Sequence, residues 1–229
     1  MNQKPEILLV DDDRVMRASY SATFKDEGFV VRTAKNGVEA VAAFQEKRPD
    51  VVILDMMMPK MGGLEACQAI RAMDAAVPIL FLSCLSDDTK KLRAYDSGAD
   101  DYVEKTTNVD VIVAKIRAFL RRVASAGTAT SDDRLHLGTV EVDLRGGEVS
   151  VAGAASERLT KTECDILRIL AAKRGQTLTC NELIAALRGE GFACVDSMLY
   201  SHVSRLRKKL GPAADLLSSA SGAGYCLVR

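Results

Sequence analysis

The chain has 229 residues, 48% of them apolar, which suits one large domain or two domains of ordinary size. Its 31 basic and 31 acidic side chains cancel, so the net charge does not indicate a nucleic-acid-binding protein, and any DNA affinity must come from where the charges lie. The six cysteines form no CxxC pair, which disfavours a cysteine metal site and predicts reduced thiols. No apolar run approaches the roughly 18 residues of a membrane helix, and no signal peptide is recognisable at the start. We therefore expect a cytoplasmic protein without a membrane partner.

The first half of the chain alternates short β-branched runs with helical stretches. The predicted strands are Ile7–Val10, Phe29–Thr33, Val51–Leu54, Ile79–Leu82 and Asp101–Glu104. Helices are predicted over 14–27, about 37–47, about 63–73, up to about 97, and from 109 onwards. Parallel strands need crossover helices, so the pattern predicts an α/β domain with a five-stranded parallel sheet that is covered on both faces.

The composition changes to Ala, Ser, Thr, Gly and Asp between Ala124 and Asp133, which indicates a linker. Beyond it the pattern predicts short alternating strands, three helices around 160–173, 179–188 and 196–210, and a closing hairpin at about 216–228. We expect two domains, residues 1–123 and 134–229, joined by residues 124–133. The second is a smaller α+β domain.

Polar residues follow four of the five predicted parallel strands. They are Asp11, Asp12, Asp55, Ser83 and Lys105. The working site of such a sheet lies outside the carboxyl ends of its strands, so these side chains should meet at one edge.

Phosphoryl transfer to a carboxylate requires neutralisation of charge, which Mg²⁺ with oxygen ligands provides. Asp11, Asp12 and Asp55 supply carboxylates, and the chain just past Asp55 can offer a carbonyl. Lys105 and the Ser83 hydroxyl would then bind phosphoryl oxygens, with Asp55 as the nucleophile.

Two other interpretations use the same acidic residues. An Asp after a strand is often only a helix cap, a role that we expect for Asp13. Alternatively, Asp11-x-Asp13 resembles the DxD signature of haloacid-dehalogenase-type phosphatases, in which Asp11 would be the nucleophile and Asp13 the acid–base. This phosphatase interpretation leaves Asp55 and the C-terminal half unexplained.

The segments ILLVDDD, VVILDMMMPKMGG, LFLS and GADDYVEK resemble the receiver domain of two-component response regulators, over about residues 7–122. The resemblance implies a flavodoxin/CheY-like fold whose phosphoacceptor is Asp55, with a sensor histidine kinase as the donor. It also implies that Asp12 and Asp55 bind Mg²⁺ directly, Asp11 mainly through water, and the Met57 carbonyl completes the shell.

The same resemblance identifies Ser83 and Tyr102 as a switch pair, in which the hydroxyl moves toward the phosphate and the ring follows inward. This chain has Lys105-Thr106 where the family usually has Lys-Pro with a cis bond, so a trans bond is an alternative here. Met57 and Leu85 are apolar and cannot orient a water, so we expect self-dephosphorylation to be slow.

The segment LTKTECDILRILAAKRGQTLTCNELIAALRG carries capping boxes at Thr160/Glu163 and Thr179/Glu182, which are typical of helix starts. The following helix, LYSHVSRLRKKLG, projects basic side chains from an apolar spine, as a major-groove reader does. The candidate DNA contacts are His202, Arg205, Lys208 and Lys209, with Arg205 on the exposed side of the helix.

The order of strands, three helices and a hairpin with SGAGYCLV resembles the winged-helix effector domain of OmpR/PhoB-type regulators. Tyr200 stands where this family often has an Asp. The resemblance implies a transcriptional regulator that dimerises on tandem DNA half-sites when phosphorylated. Lys91, Asp101 and Lys115 are the candidate dimer contacts. Because the hairpin carries few cations, a protein-binding adaptor remains an alternative for this half.

Overall fold

The structure, a computed structural model, describes residues 4–84, 87–125, 133–151, 154–188, 196–220 and 224–228. The chain divides into two compact units, residues 1–124 and 125–229. Within the described residues, no helix combines the length and the apolar character needed to cross a bilayer.

The first unit is a parallel sheet of five strands with the order β2-β1-β3-β4-β5, which is the flavodoxin-like order. The strands are β1 (Glu6–Val10), β2 (Val30–Ala34), β3 (Val51–Leu54), β4 (Ile79–Ser83) and β5 (Asp101–Glu104). The helices are α1 (Arg14–Asp26), α2 (Gly37–Glu46), α3 (Gly63–Met73), α4 (Asp88–Asp96) and α5 (Val109–Ser125). The predicted α/β class and parallel sheet are confirmed.

Apolar residues that alternate along the strands form the core against α1 and α5. The sheet contributes Ile7, Leu9, Ile53, Leu80 and Leu82, and the two helices contribute Phe24, Ile112, Ile116 and Phe119. The strands β1, β3 and β4 are buried on both faces, which explains why they read as continuous apolar runs in the sequence.

The second unit begins with an antiparallel sheet in the order β6-β7-β8-β9. Its strands are β6 (Arg134–Leu137), β7 (Val140–Asp143), β8 (Glu148–Val151) and β9 (Ala154–Arg158). Then come α6 (Lys161–Ala172), α7 (Cys180–Arg188), α8 (Asp196–Leu210), a 3-10 helix (Gly211–Leu216), and a hairpin of β10 (Leu217–Ala220) and β11 (Gly224–Leu227). The sequence pattern located neither β9 nor the 3-10 helix.

The hairpin is joined to the segment before α7 by a short bridge. The backbone amides of Leu178 and Tyr225 each donate to the other's carbonyl at 2.9 Å. Gly224 has φ +135°, and a Cβ there would lie 1.9 Å from the Leu178 carbonyl oxygen. Only glycine lets the two backbones approach this closely, so this residue holds the hairpin against the segment before α7.

Candidate functional site

The acidic residues after β1 and β3 meet because these strands are neighbours in the sheet. Val10 pairs with Leu54, and the Asp55 amide donates to the Val10 carbonyl at 2.8 Å. One carboxylate oxygen from each of Asp11, Asp12 and Asp55 lies within 4.8 Å of the others. Asp11 and Asp55 are buried and Asp12 is exposed, so the group opens to solvent on one side.

Lys105 is the cation of this acidic group. Its Nζ lies 2.6 Å from Asp11 Oδ2 and 3.3 Å from Asp55 Oδ2. The backbone holds it there, because its amide donates to the Ser83 carbonyl at 2.8 Å and its carbonyl accepts from the Tyr20 hydroxyl at 3.2 Å. The peptide bond between Lys105 and Thr106 is trans, which is the alternative to the family's cis bond that the sequence left open.

The ionisation of the group follows from burial and from these contacts. Burial raises the pKa of Asp55; Lys105 opposes that effect, Asp11 adds to it, and the net pKa is above its ordinary value. Burial alone would lower the pKa of Lys105, but the two carboxylates outweigh it and raise that pKa. The ammonium group of Lys105 therefore bridges two of the three clustered carboxylates, those of Asp11 and Asp55.

Three carboxylates around one open side form a set of hard oxygen donors. Such a set fits a divalent cation of the Mg²⁺ class, which binds through one or two carboxylates and keeps several waters. The excess negative charge beside Asp55 gives a physical reason for cation binding.

The loop after β3 closes tightly over Asp55. The Met56 amide donates to Asp55 Oδ1 at 2.8 Å, and the Gly63 amide donates to the Met56 carbonyl at 3.0 Å. A Cβ at position 63 would lie 2.1 Å from the Asp55 carbonyl oxygen, so this position requires glycine. Met57 lies in the same loop with its side chain exposed, and Leu85 lies outside the described residues.

Ser83 and Tyr102 are buried on neighbouring strands at the same edge. β4 pairs with β5, with Phe81 opposite Tyr102, and a hydrogen bond joins the Ser83 and Tyr102 side chains. Burial raises the pKa of Tyr102, although this hydrogen bond acts in the opposite direction. The two side chains of the predicted pair are therefore in contact, and the Tyr102 ring is buried.

Asp13 caps α1, as expected. Its carboxylate accepts from the amides of Val15 and Met16 at 2.7 and 3.2 Å. The capping role gives its carboxylate a structural use that does not depend on acid–base chemistry.

The three candidate dimer contacts form ion pairs within the chain. Lys115 Nζ lies 2.7 Å from Asp101 Oδ2, and Lys91 Nζ lies 3.2 Å from Glu104 Oε1. Asp101 is buried, so a partner subunit would have to compete with Lys115 for its carboxylate.

Two candidate DNA contacts on α8 instead bind a buried carboxylate. Glu163 has no exposed surface; Arg205 Nε lies 3.0 Å from its Oε1 and Lys209 Nζ lies 2.7 Å from its Oε2. Burial alone would raise the pKa of Glu163, but the two cations outweigh it and hold that pKa below its ordinary value.

The exposed position predicted for Arg205 is therefore wrong, because this side chain turns inward to neutralise Glu163. The DNA-contact assignment of His202 is also wrong. The ring is fully buried, and its Nδ1 lies 2.7 Å from Arg205 Nη2. Of the four candidates, Lys208 is the one whose side chain is exposed to solvent.

Sequence reasoning identified Glu163 only as a capping residue. The capping box is present, with the Thr160 amide donating to Glu163 Oε2 at 2.8 Å. The signal it missed is that Glu163 lies between buried positions of α6, where a carboxylate needs a cationic partner.

The architecture defines the class of protein: a five-stranded receiver-type sheet with an acidic phosphoacceptor-like site, followed by a winged-helix-type unit. Residues 7–117 match the family model described as the response regulator receiver domain. Residues 154–227 match the one described as the C terminal of transcriptional regulatory proteins. The chain belongs to the two-component response regulators of the OmpR/PhoB type.

Curated relatives match over nearly the whole chain. The transcriptional regulatory protein PrrA of Mycobacterium tuberculosis is 36% identical over 97% of this chain and 96% of its own length. The response regulator MprA of Mycobacterium ulcerans is 33% identical over 96% of each chain. Among solved structures, the OmpR/PhoB homolog DrrB of Thermotoga maritima is 26% identical with a TM-score of 0.52, covering 99% of this chain and 100% of that chain. A cysteine-to-serine mutant of RitR, at 20% identity and a TM-score of 0.80 over 97% of this chain and 98% of that one, supports the fold alone.

These findings settle the class of function. The chain is a transcriptional response regulator of a two-component system, which implies a sensor kinase and DNA as partners. They give no support to the phosphatase or adaptor interpretations.

Proposed function

We propose that Asp55 accepts the phosphoryl group from a sensor histidine kinase or a small phosphodonor. The observation that carries the proposal is the convergence of Asp11, Asp12 and Lys105 on this one buried carboxylate. Asp11, Asp12, Asp55 and the Met57 carbonyl would hold Mg²⁺. When bound, this ion supplies the positive charge that phosphoryl transfer to a carboxylate requires.

Lys105 binds a phosphoryl oxygen in this proposal. Its ammonium group already bridges Asp11 and Asp55, and its raised pKa keeps it charged. Hydrogen bonds with Ser83 and Tyr20 hold the backbone of Lys105 close to Asp55, so its ammonium group would move only a short distance to reach a phosphoryl oxygen. Its role is electrostatic, since it neutralises charge that develops on the phosphoryl oxygens.

The Ser83 hydroxyl is proposed to transmit phosphorylation of Asp55 to the surface of the receiver domain. It is hydrogen-bonded to Tyr102, and a phosphoryl oxygen on Asp55 offers it a stronger, charged acceptor. Movement of Ser83 toward the phosphate would remove this bond from Tyr102. The consequence is a change on the face formed by α4, β5 and α5.

We propose that this face forms a homodimer in the phosphorylated state. Lys91, Asp101 and Lys115 lie on it, and the exposed Val111 adds apolar surface. Asp101 is already paired with Lys115 and Lys91 with Glu104, so a partner subunit would gain little from these charges and the dimer would be weak without DNA.

The proposed division assigns residues 1–123 to the receiver, 124–133 to the linker and 134–229 to the DNA-binding domain. The two compact units of the structure support it. We place the regulator in the cytoplasm, where its promoter DNA lies. Its chemistry is limited to self-phosphorylation from a donor and slow self-dephosphorylation.

Labelling of the full chain with acetyl phosphate in the presence and absence of Mg²⁺ tests the phosphoacceptor assignment. We expect Mg²⁺-dependent acyl phosphate, mapped to Asp55 by borohydride trapping and mass spectrometry, and its loss in Asp55→Asn. Asp13→Asn, which changes a capping carboxylate outside the proposed ligand set, is the matched control. Label on Asp11, or unchanged labelling of Asp55→Asn, would refute the assignment.

A further inference from the structure

α8 carries two neighbouring rows of side chains, and they face in different directions. Tyr200, Ser204 and Lys208, the outer row, are four residues apart and so share one face of the helix. Tyr200 is 64% exposed, Lys208 is exposed, and Ser204 is partly exposed. Arg205 and Lys209, the inner row, are each one position further along and turn toward Glu163 on α6.

The inner row is committed to the interior. Glu163 is completely buried, and each of its oxygens lies next to one of these cations. Moving Arg205 or Lys209 to a DNA base would leave a buried carboxylate with half of its compensation, which is strongly unfavourable. Arg207 is also occupied, because its Nε and Nη2 donate to the Leu217 carbonyl at 2.8 and 2.6 Å.

The outer row therefore presents side chains of α8 that are available to an external ligand. A largely exposed tyrosine combines a large apolar ring with a hydroxyl group, and such side chains are favoured at recognition surfaces. Lys208 on the same face supplies a cation for a phosphate.

We propose that Tyr200 and Ser204 read DNA bases, that Lys208 binds the phosphate backbone, and that the Tyr200 ring covers the 5-methyl group of a thymine. This inference rests on the proposed DNA-binding function and names the residues that give it sequence specificity. The thymine methyl is the apolar group of the major groove, so it is the natural partner of an exposed ring there. The Ser204 hydroxyl can donate to or accept from a neighbouring base.

The proposal is tested with DNA that the protein itself selects. The full chain, treated with acetyl phosphate and Mg²⁺, is used to enrich tight binders from a library of randomised duplexes. Each thymine of one selected duplex is then replaced in turn by deoxyuracil, which removes only the 5-methyl group. We expect one replacement to weaken wild-type binding by about fourfold, the ratio that corresponds to about 0.8 kcal/mol for one buried carbon group.

The variants identify the side chain that senses this methyl group. Tyr200→Ala should bind the thymine and deoxyuracil duplexes equally, while its affinity for unrelated DNA stays close to that of the wild type. Tyr200→Phe, the matched control, retains the ring and should retain the fourfold difference. Tyr200 is mostly exposed, so its replacement is not expected to disturb folding.

Two results would overturn the inference in distinguishable ways. If the selected duplex is bound specifically and Tyr200→Ala still discriminates thymine from deoxyuracil, other residues read the sequence and the inference alone fails. If the phosphorylated wild-type chain enriches no duplex at low salt, the DNA-binding proposal fails, and this inference fails with it.

Discussion

Replacing Glu163 with glutamine separates the ion cluster of the second unit from its capping box. The side-chain amide oxygen of the new glutamine can still accept from the Thr160 amide, which now donates to Glu163 Oε2 at 2.8 Å. The negative charge, however, is lost between Arg205 and Lys209. We expect the second unit to lose stability while the receiver is unaffected.

The expected loss follows from the burial of the three groups. Removing one partner of a buried ion pair costs about 3–5 kcal/mol, because the remaining charge is left uncompensated. Arg205 and Lys209 keep 12% and 21% of their side chains exposed, so water partly compensates them and the lower end, about 3 kcal/mol, applies. For a domain of this size that loss corresponds to a fall in Tm of roughly 12–24 °C.

Native-state hydrogen exchange on the full chain measures this loss locally. A decrease of about 3 kcal/mol should speed exchange of the protected amides of α6 and α8 about a hundredfold, provided that they exchange by opening of the unit. Peptides from the receiver sheet serve as an internal reference. Glu182→Gln is the matched control, since Glu182 accepts from the Thr179 amide at 2.8 Å in the same type of capping box but is exposed.

The reasoning would be refuted by either of two outcomes. If the exchange rates of the α8 amides stay within about threefold of wild type, the free energy of opening has changed by less than about 1 kcal/mol. The ion cluster of Glu163, Arg205 and Lys209 would then contribute little to stability. Equal effects of Glu163→Gln and Glu182→Gln would assign the loss to capping alone.

Three further predictions concern pH, signal lifetime and DNA affinity. Folding lowers the pKa of Glu163 from 4.5, so the ionised carboxylate stabilises the folded second unit fully above pH 4.5. This contribution should be lost as the pH falls through the lower pKa of the folded state. Unfolding measured as a function of pH should show the loss for the wild type but not for Glu163→Gln. Met57→Asn should speed phosphate release from the phosphoprotein about tenfold, which requires the activation free energy of hydrolysis to fall by about 1.4 kcal/mol. A change below twofold would show that other residues control the access of water to the phosphate. Lys208→Ala should lower the slope of log affinity for DNA against log salt concentration by about one unit without lowering Tm. Lys209→Ala should instead lower Tm. The opposite pattern would contradict the assigned orientation of α8.

The acidic site could be predicted because a parallel sheet converts sequence position into spatial position. Residues that follow different strands arrive at one edge, so Asp11, Asp55 and Lys105 were placed together without knowledge of any side-chain conformation. The buried pairing of Asp101 with Lys115 was not foreseen, because alternation along β5 does not reveal which partner reaches a strand residue from a helix.

Which cations of α8 face solvent could not be obtained from its own sequence. Tyr200 and Ser204 lie one position before Ser201 and Arg205, and adjacent helix positions differ by about 100° around the axis. Both rows contain cations, so charge periodicity does not show which row faces solvent. The buried carboxylate of Glu163, 42 residues before Arg205 in the chain, binds the Arg205 side chain and draws it inward.

The close approach of Gly63 to the Asp55 carbonyl means that the site also depends on a residue with no functional group. A methyl group at this position would overlap the carbonyl oxygen and meet the Phe81 ring at 2.9 Å, so the loop after β3 would have to shift. Asp55 would be displaced with it, although each ionisable side chain of the site would still be present. A regulator could thus be silenced by a change from glycine to alanine that leaves its charge, its composition of acids and bases, and its DNA-binding unit untouched.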